Sequence, residues 1–150
     1  MRAPISIGSV LRFTCLATFS SACLTACASS SGGAAVQHFQ DPGALGPYSS
    51  AVQVGELVLL SGKIGERGQG FAHEVETCID RIEGALALTG LGLRDVVEAR
   101  VYLTDMGNYA EFNELYGDRF AAPFPARTCV AVAGLPGAAQ VEIQVAARRR

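Results

Sequence analysis

From Val97 to Thr104 the chain alternates without a break. Val97, Ala99, Val101 and Leu103 are apolar, whereas Glu98, Arg100, Tyr102 and Thr104 are polar or amphipathic. Successive side chains of a strand leave opposite faces, so this segment predicts a strand with one face to bury. Such a face needs a second layer. Two segments of helical period supply it: Val75, Ile79, Ile82 and Leu86, with Gly90 as terminator, and then Tyr109, Phe112, Tyr116 and Phe120. Two short strands, Ala51 to Val54 and Leu57 to Ser61, flank a turn at Gly55-Glu56. Two more, Arg127 to Ala133 and Gln140 to Ala146, are separated by Leu135-Pro136-Gly137. The order ββαβαββ predicts an α/β (α+β) sandwich with both helices on one face of a single sheet. With 150 residues, 49% of them apolar, the chain suffices for one such domain.

The mean hydropathy of +0.27 directs attention to a targeting segment. Arg2 and Arg12 open the chain, and no charge follows from Phe13 to Ala26. That run is too short to span a membrane, which needs about 20 apolar residues. It ends in Leu24-Thr25-Ala26-Cys27, which resembles the lipobox of bacterial lipoproteins. The resemblance implies cleavage before Cys27 and acylation of that residue, leaving residues 1–26 as a signal peptide. Cys23 fits less well, because Ser20 stands where an aliphatic residue is needed. Ala28 rather than Asp follows Cys27, which implies an outer-membrane anchor facing the periplasm. Residues 27–45, with Ser29-Ser30-Ser31-Gly32-Gly33, are expected to be a flexible tether, and residues 46–150 the domain. Cleavage would lower the basic count from 12 to 10 against 14 acidic residues, a balance of 10 − 14 = −4. Neither this nor the −2 of the whole chain suits a strongly basic nucleic-acid binder. Arg148-Arg149-Arg150 is expected to be a solvated end. Cys78 and Cys129 are expected to be free thiols.

Chemistry-bearing residues are few. His38 falls in the tether, and His73 precedes the first helix without company. No cluster has the spacing of a zinc site, and Gly65, Gly68 and Gly70 match no phosphate-binding pattern. Arg127 follows the stiff Pro123-Phe124-Pro125-Ala126 approach and shares a strand face with Cys129. Glu142 lies on the opposite face of its strand from Val141, Ile143 and Val145. Spacing alone leaves two readings open. Both residues face solvent, or a cleft lets Arg127 grip a carboxylate while Glu142 activates water.

The segments Gly46-Pro47-Tyr48-Ser49 and Leu60-Ser61-Gly62-Lys63-Ile64 resemble the opening of the RidA/YjgF family of reactive-intermediate (imine/enamine) deaminases. Val101-Tyr102-Leu103-Thr104-Asp105-Met106 and Phe112-Asn113-Glu114-Leu115-Tyr116 resemble its middle. Pro125-Ala126-Arg127-Thr128-Cys129, Leu135-Pro136 and Val141-Glu142-Ile143 resemble its end. The likeness runs in order from Gly46 to Ala147. It implies a chorismate-mutase-like fold: one mixed sheet with two helices on one face, assembled as a homotrimer with clefts between subunits. It implies hydrolysis of 2-imino acids such as 2-iminobutanoate and 2-iminopropanoate to 2-oxo acids and ammonia, without a cofactor. Arg127 would bind the substrate carboxylate and Glu142 would activate water. Tyr48, Gly62 and Cys129 would line the cleft, with Asn113 at its edge. Lys63 departs from the family's usual Gln, and Arg81 from its usual Asn. The expected partners are the imino acid, further copies of the chain, and a membrane through the N-terminal lipid, with no nucleic acid. The alternative is a non-catalytic module on the same fold, binding small carboxylates or serving interactions in the envelope.

Overall fold

The structure, a computed structural model, describes residues 34–41 and 46–150. The signal peptide expected over 1–26 and the acylated Cys27 lie outside the described residues. Strands β1 (Val36–Phe39), β2 (Ala51–Val54), β3 (Leu57–Leu60) and β4 (Lys63–Ile64) lead into helix α1 (Phe71–Leu88). Strand β5 (Val96–Leu103), helix α2 (Tyr109–Arg119) and strands β6 (Ala126–Ala131) and β7 (Val141–Arg148) follow. The strands run β1-β2-β3-β7-β5-β6 across one sheet, with β4 also paired to β7. The β5–β6 pair is parallel and the others are antiparallel. A parallel pair requires a crossover, and α2 provides it. The expected mixed sheet with two helices on one face therefore forms.

The apolar alternation builds the core. Val58 and Leu60 of β3, Ala99, Val101 and Leu103 of β5, and Val141, Ile143 and Val145 of β7 are buried on the helix side. The α1 stripe Val75, Ile79, Ile82 and Leu86 is fully buried against them, with Phe112, Tyr116 and Phe120 beside it. Each aliphatic side chain buried in this way stabilises the fold by roughly 1.5–3 kcal/mol. Gly90 ends α1 as expected, at φ +75°, a conformation that side-chain-bearing residues rarely adopt.

Glu74 is the charged exception in this layer. Only 1% of it is exposed. Its carboxylate accepts from the Gln140 backbone N–H at 2.7 Å, from the Val141 N–H at 3.4 Å and from Gln140 Nε2 at 3.2 Å. These bonds offset its desolvation and tie the first turn of α1 to the start of β7.

Several expectations are corrected. Val97 is 46% exposed, because a bulge between Val96 and Glu98 lets Val96 take the core position. The sheet begins inside the stretch 27–45 expected to be tether, since β1 pairs with β2 from Val36↔Val54 to Phe39↔Ala51. The Arg148–Arg150 end is exposed to solvent as expected, and it also makes contacts. Arg148 Nη2 lies 2.9 Å from Glu56, the Arg149 N–H donates to the Glu56 carbonyl at 2.8 Å, and Arg150 lies 3.8 Å from Asp95.

The other sheet face has no helical cover among the described residues. Leu57 and Leu59 alternate with buried Val58 and Leu60, and stand 42% and 44% exposed on it.

Candidate active site

Glu142 lies on the uncovered face of β7, directly opposite Tyr102 of β5 and Ile64 of β4. The chain just before β4 passes so close that a Cβ on Gly62 would meet Glu142 Oε1 at 1.9 Å. Glycine is therefore required at Gly62 for the carboxylate to stay where it is. The two residues share a hollow of about 540 Å³ with Tyr48, Tyr102, Pro136 and Gln144. Partial burial pushes the Glu142 carboxyl above its ordinary value of 4.5. It is thus held closer to the range in which a carboxyl exchanges protons with a substrate.

Arg127 occupies β6, in register with Ala99, so its side chain leaves on the helix side. Its Nη2 donates to Asn113 Oδ1 at 2.6 Å and to the Tyr109 hydroxyl oxygen at 3.5 Å. The guanidinium carbon lies 4.8 Å from the ring centroid of Tyr116, 5.5 Å from Phe112 and 5.9 Å from Tyr109. Three π-faces and an amide oxygen thus fix a cation at the sheet edge. Nε and Nη1 have no hydrogen-bond partner among the described residues, so part of the fork remains available for an anion. Cys129, two residues along the same face, is paired with Val101. Burial pushes its thiol up despite the opposing charge of Arg127. It is therefore a neutral wall rather than a thiolate nucleophile.

The predicted site residues form two groups. Tyr48, Gly62 and Glu142 meet on the uncovered face, whereas Arg127, Asn113 and Cys129 meet beneath α2. Within one chain the sheet lies between them, so the cleft expected to join Arg127 and Glu142 does not close in a single copy. The rings of Tyr109, Phe112 and Tyr116 were expected to be core alone. Phe112 and Tyr116 are buried, but Tyr109 is 38% exposed, and all three surround the guanidinium. The available signal was their helical spacing about Asn113: Tyr109 stands one turn before it and Tyr116 one turn after. Tyr102 and Gln144 also lie on the Glu142 face, placed there by the alternation of β5 and β7.

The two unusual cations lie beside the first group. Lys63, 8% exposed, donates to Ser50 Oγ at 3.1 Å and pairs with Asp41 at 3.6 Å. Arg81 Nη1 donates to the carbonyls of Ile64 at 2.8 Å and Gly65 at 3.3 Å. Both brace the β4 segment that carries Gly62. They also border a larger hollow of about 830 Å³, but their charges are already engaged there. Burial pushes the Cys78 thiol to about 12, and its Sγ donates to the Lys63 carbonyl at 3.0 Å. His38 bonds Ser49 Oγ at 3.0 Å and His73 lies 3.5 Å from Glu66, so neither joins either group. Among the described residues no cluster of three or more His, Cys, Asp or Glu could hold a metal ion.

A family model described as endoribonuclease L-PSP matches residues 39–149. The chain is 34% identical over 118 residues to the 2-iminobutanoate/2-iminopropanoate deaminase of Escherichia coli, covering 73% of this chain and 92% of that relative. It is 39% identical over 110 residues to RutC family protein y4sK of Sinorhizobium fredii, covering 69% and 87%. Among solved structures, RidA from an Antarctic Psychrobacter superposes with a TM-score of 0.72 at 36% identity, covering 75% of this chain and 99% of that one.

The raised Glu142 pKa has a definite sign. Between 4.5 and the raised value, the folded chain binds more protons than the unfolded chain, so this group's contribution to stability is lost as pH rises through that window. Carboxyl-carbon NMR should give a Glu142 midpoint above 4.5, and Glu142→Gln should flatten the stability profile there. A midpoint at or below 4.5 contradicts the burial account.

Proposed function

This chain belongs to the endoribonuclease L-PSP (RidA/YjgF) family, and we propose on that footing that it hydrolyses 2-imino and enamino acids to 2-oxo acids and ammonia. The observation that carries the reading is the clamped Arg127, whose planar fork retains free donors beside Asn113. Such a fork suits a small planar carboxylate better than a lysine would. A lone guanidinium on a chain of net charge −2 favours a small anion over a polyanion such as RNA.

The cleft is composite. Arg127 and Glu142 leave opposite faces of the sheet, so one copy supplies the cation and a neighbouring copy supplies the carboxylate. The exposed Leu57 and Leu59 give the uncovered face an apolar surface on which copies associate, in a homotrimer. In that cleft Arg127 holds the substrate carboxylate, and Glu142 takes a proton from water as its oxygen bonds to the C=N carbon. Glu142 passes that proton to the imine nitrogen, giving a neutral carbinolamine and an ionised carboxylate. Glu142 then takes the carbinolamine hydroxyl proton and hands it to the amino nitrogen as the C–N bond breaks, leaving the 2-oxo acid and ammonia. The carboxyl ends ionised, as it began. Burial favours the protonated carboxyl and the guanidinium of the neighbouring copy favours the ionised one, so Glu142 is placed to carry a proton both ways. Tyr48, Gly62 and Cys129 form walls.

The assay follows ammonia released from imine that an amino-acid oxidase generates in place. Wild type should accelerate release, and Arg127→Ala, Arg127→Lys and Glu142→Gln should each lower kcat/KM by about 100-fold or more. Absence of acceleration by a folded, oligomeric wild type contradicts the deaminase reading. Binding of 2-oxo acid without turnover would identify a carboxylate-binding module instead.

We also infer, from Leu24-Thr25-Ala26-Cys27 and the run before it, that Cys27 is acylated and anchors the domain to the outer membrane on its periplasmic side. Mass spectrometry of the native protein should find acyl chains on an N-terminal Cys27, and Cys27→Ala should leave the protein in the soluble fraction. An N-terminus still carrying Met1 contradicts this.

A further inference from the structure

Three aromatic rings pack around Arg127, and they differ in what they offer a ligand. Phe112 has no polar atom. The Tyr116 hydroxyl is buried and has no hydrogen-bond partner among the described residues. Tyr109, the first residue of α2, is 38% exposed, with its hydroxyl oxygen 3.5 Å from Arg127 Nη2. A guanidinium donates and never accepts, so in this contact the phenol oxygen is the acceptor. Its own O–H proton is therefore not spent on Arg127, and no other hydrogen bond engages it among the described residues.

An anion on Arg127 would place its oxygens about 2.8 Å from the guanidinium nitrogens. Such an oxygen on Nη2 comes within hydrogen-bond reach of the Tyr109 hydroxyl, 3.5 Å from the same nitrogen, when the two directions at Nη2 differ by about 60° or less. We propose that the Tyr109 hydroxyl donates to the substrate carboxylate held by Arg127. It would thereby make this half of the cleft select a carboxylate over a neutral group of similar shape. The inference rests on the deaminase reading for the identity of the substrate. It adds a substrate-binding residue whose contribution depends on one oxygen atom, because the ring alone satisfies the packing against the cation.

The test uses the full chain and Tyr109→Phe, which keeps the ring and removes the hydroxyl. Calorimetry with 2-oxobutanoate should show Kd raised roughly tenfold, the usual effect of losing one hydrogen bond to a charged group. Binding of 2-oxobutanamide, the neutral amide of that acid, whose carbonyl oxygen accepts more weakly, should fall by a smaller factor. In the imine assay, KM should rise by a larger factor than kcat falls. Equal Kd values for 2-oxobutanoate overturn the proposal, as does an equal loss on acid and amide, which would leave Tyr109 a packing role alone. If wild type binds 2-oxobutanoate through Tyr109 but turns over no imine, the deaminase reading fails and the Tyr109 contact stands. If it turns over imine and Tyr109→Phe matches it in KM and Kd, the Tyr109 proposal fails alone.

Discussion

Successive side chains of a strand leave opposite faces of the sheet, and that alternation parts Arg127 from Glu142 within a single chain. Arg127 stands in register with Ala99, which is buried beneath the helices. Glu142 stands in register with Tyr102, on the face that the helices leave bare. Glu142 cannot change sides without a one-residue slip of β7 that would expose Val141, Ile143 and Val145. The core thus fixes where the two side chains sit. Each copy carries them apart, a cation under α2 and a carboxylate on the open face.

Each position is prepared locally. On the open face, the missing side chain of Gly62 leaves room for the Glu142 carboxylate, and burial raises that carboxyl's affinity for a proton. Lys63, Arg81 and Cys78 have polar atoms on or beside the β4 segment, where they secure its backbone and the adjoining Ser50. Beneath α2, Asn113 and three rings hold a guanidinium whose desolvation would be costly without them. The salt bridges of Arg119 to Asp80 and Glu83, each 2.8 Å, fasten α2 to α1 and so keep that wall in place.

Strong periodicity made most of the fold legible. The stripe Val75, Ile79, Ile82 and Leu86 and the alternation from Ala99 to Leu103 are where the sequence puts them, because each has one apolar face and one place to bury it. What stayed hidden depends on partners distant in sequence. Strand β1 is four residues long and polar at Gln37 and His38, so its place in the sheet comes from the edge of β2. Strand β4 is two residues long and exists through its bonds to β7. The swap of Val97 for Val96 needs a bulge that no alternation reveals. In the site, Arg127 and Glu142 could be singled out by residue type and strand face. That Tyr109 would stand beside the guanidinium could not be read, since it depends on how α2 crosses β6.

The composite cleft is tested most directly by mixing two impaired chains, one carrying Arg127→Ala and the other Glu142→Gln. Unfolded together in equal amounts and refolded, they assort at random. Roughly one cleft in four then joins an intact Arg127 to an intact Glu142 from a neighbouring copy. About a quarter of wild-type deaminase activity should return, although each variant alone should show about a hundredth or less. A mixture that mass spectrometry shows to contain hybrid oligomers, yet which recovers nothing, would contradict a cleft shared between copies.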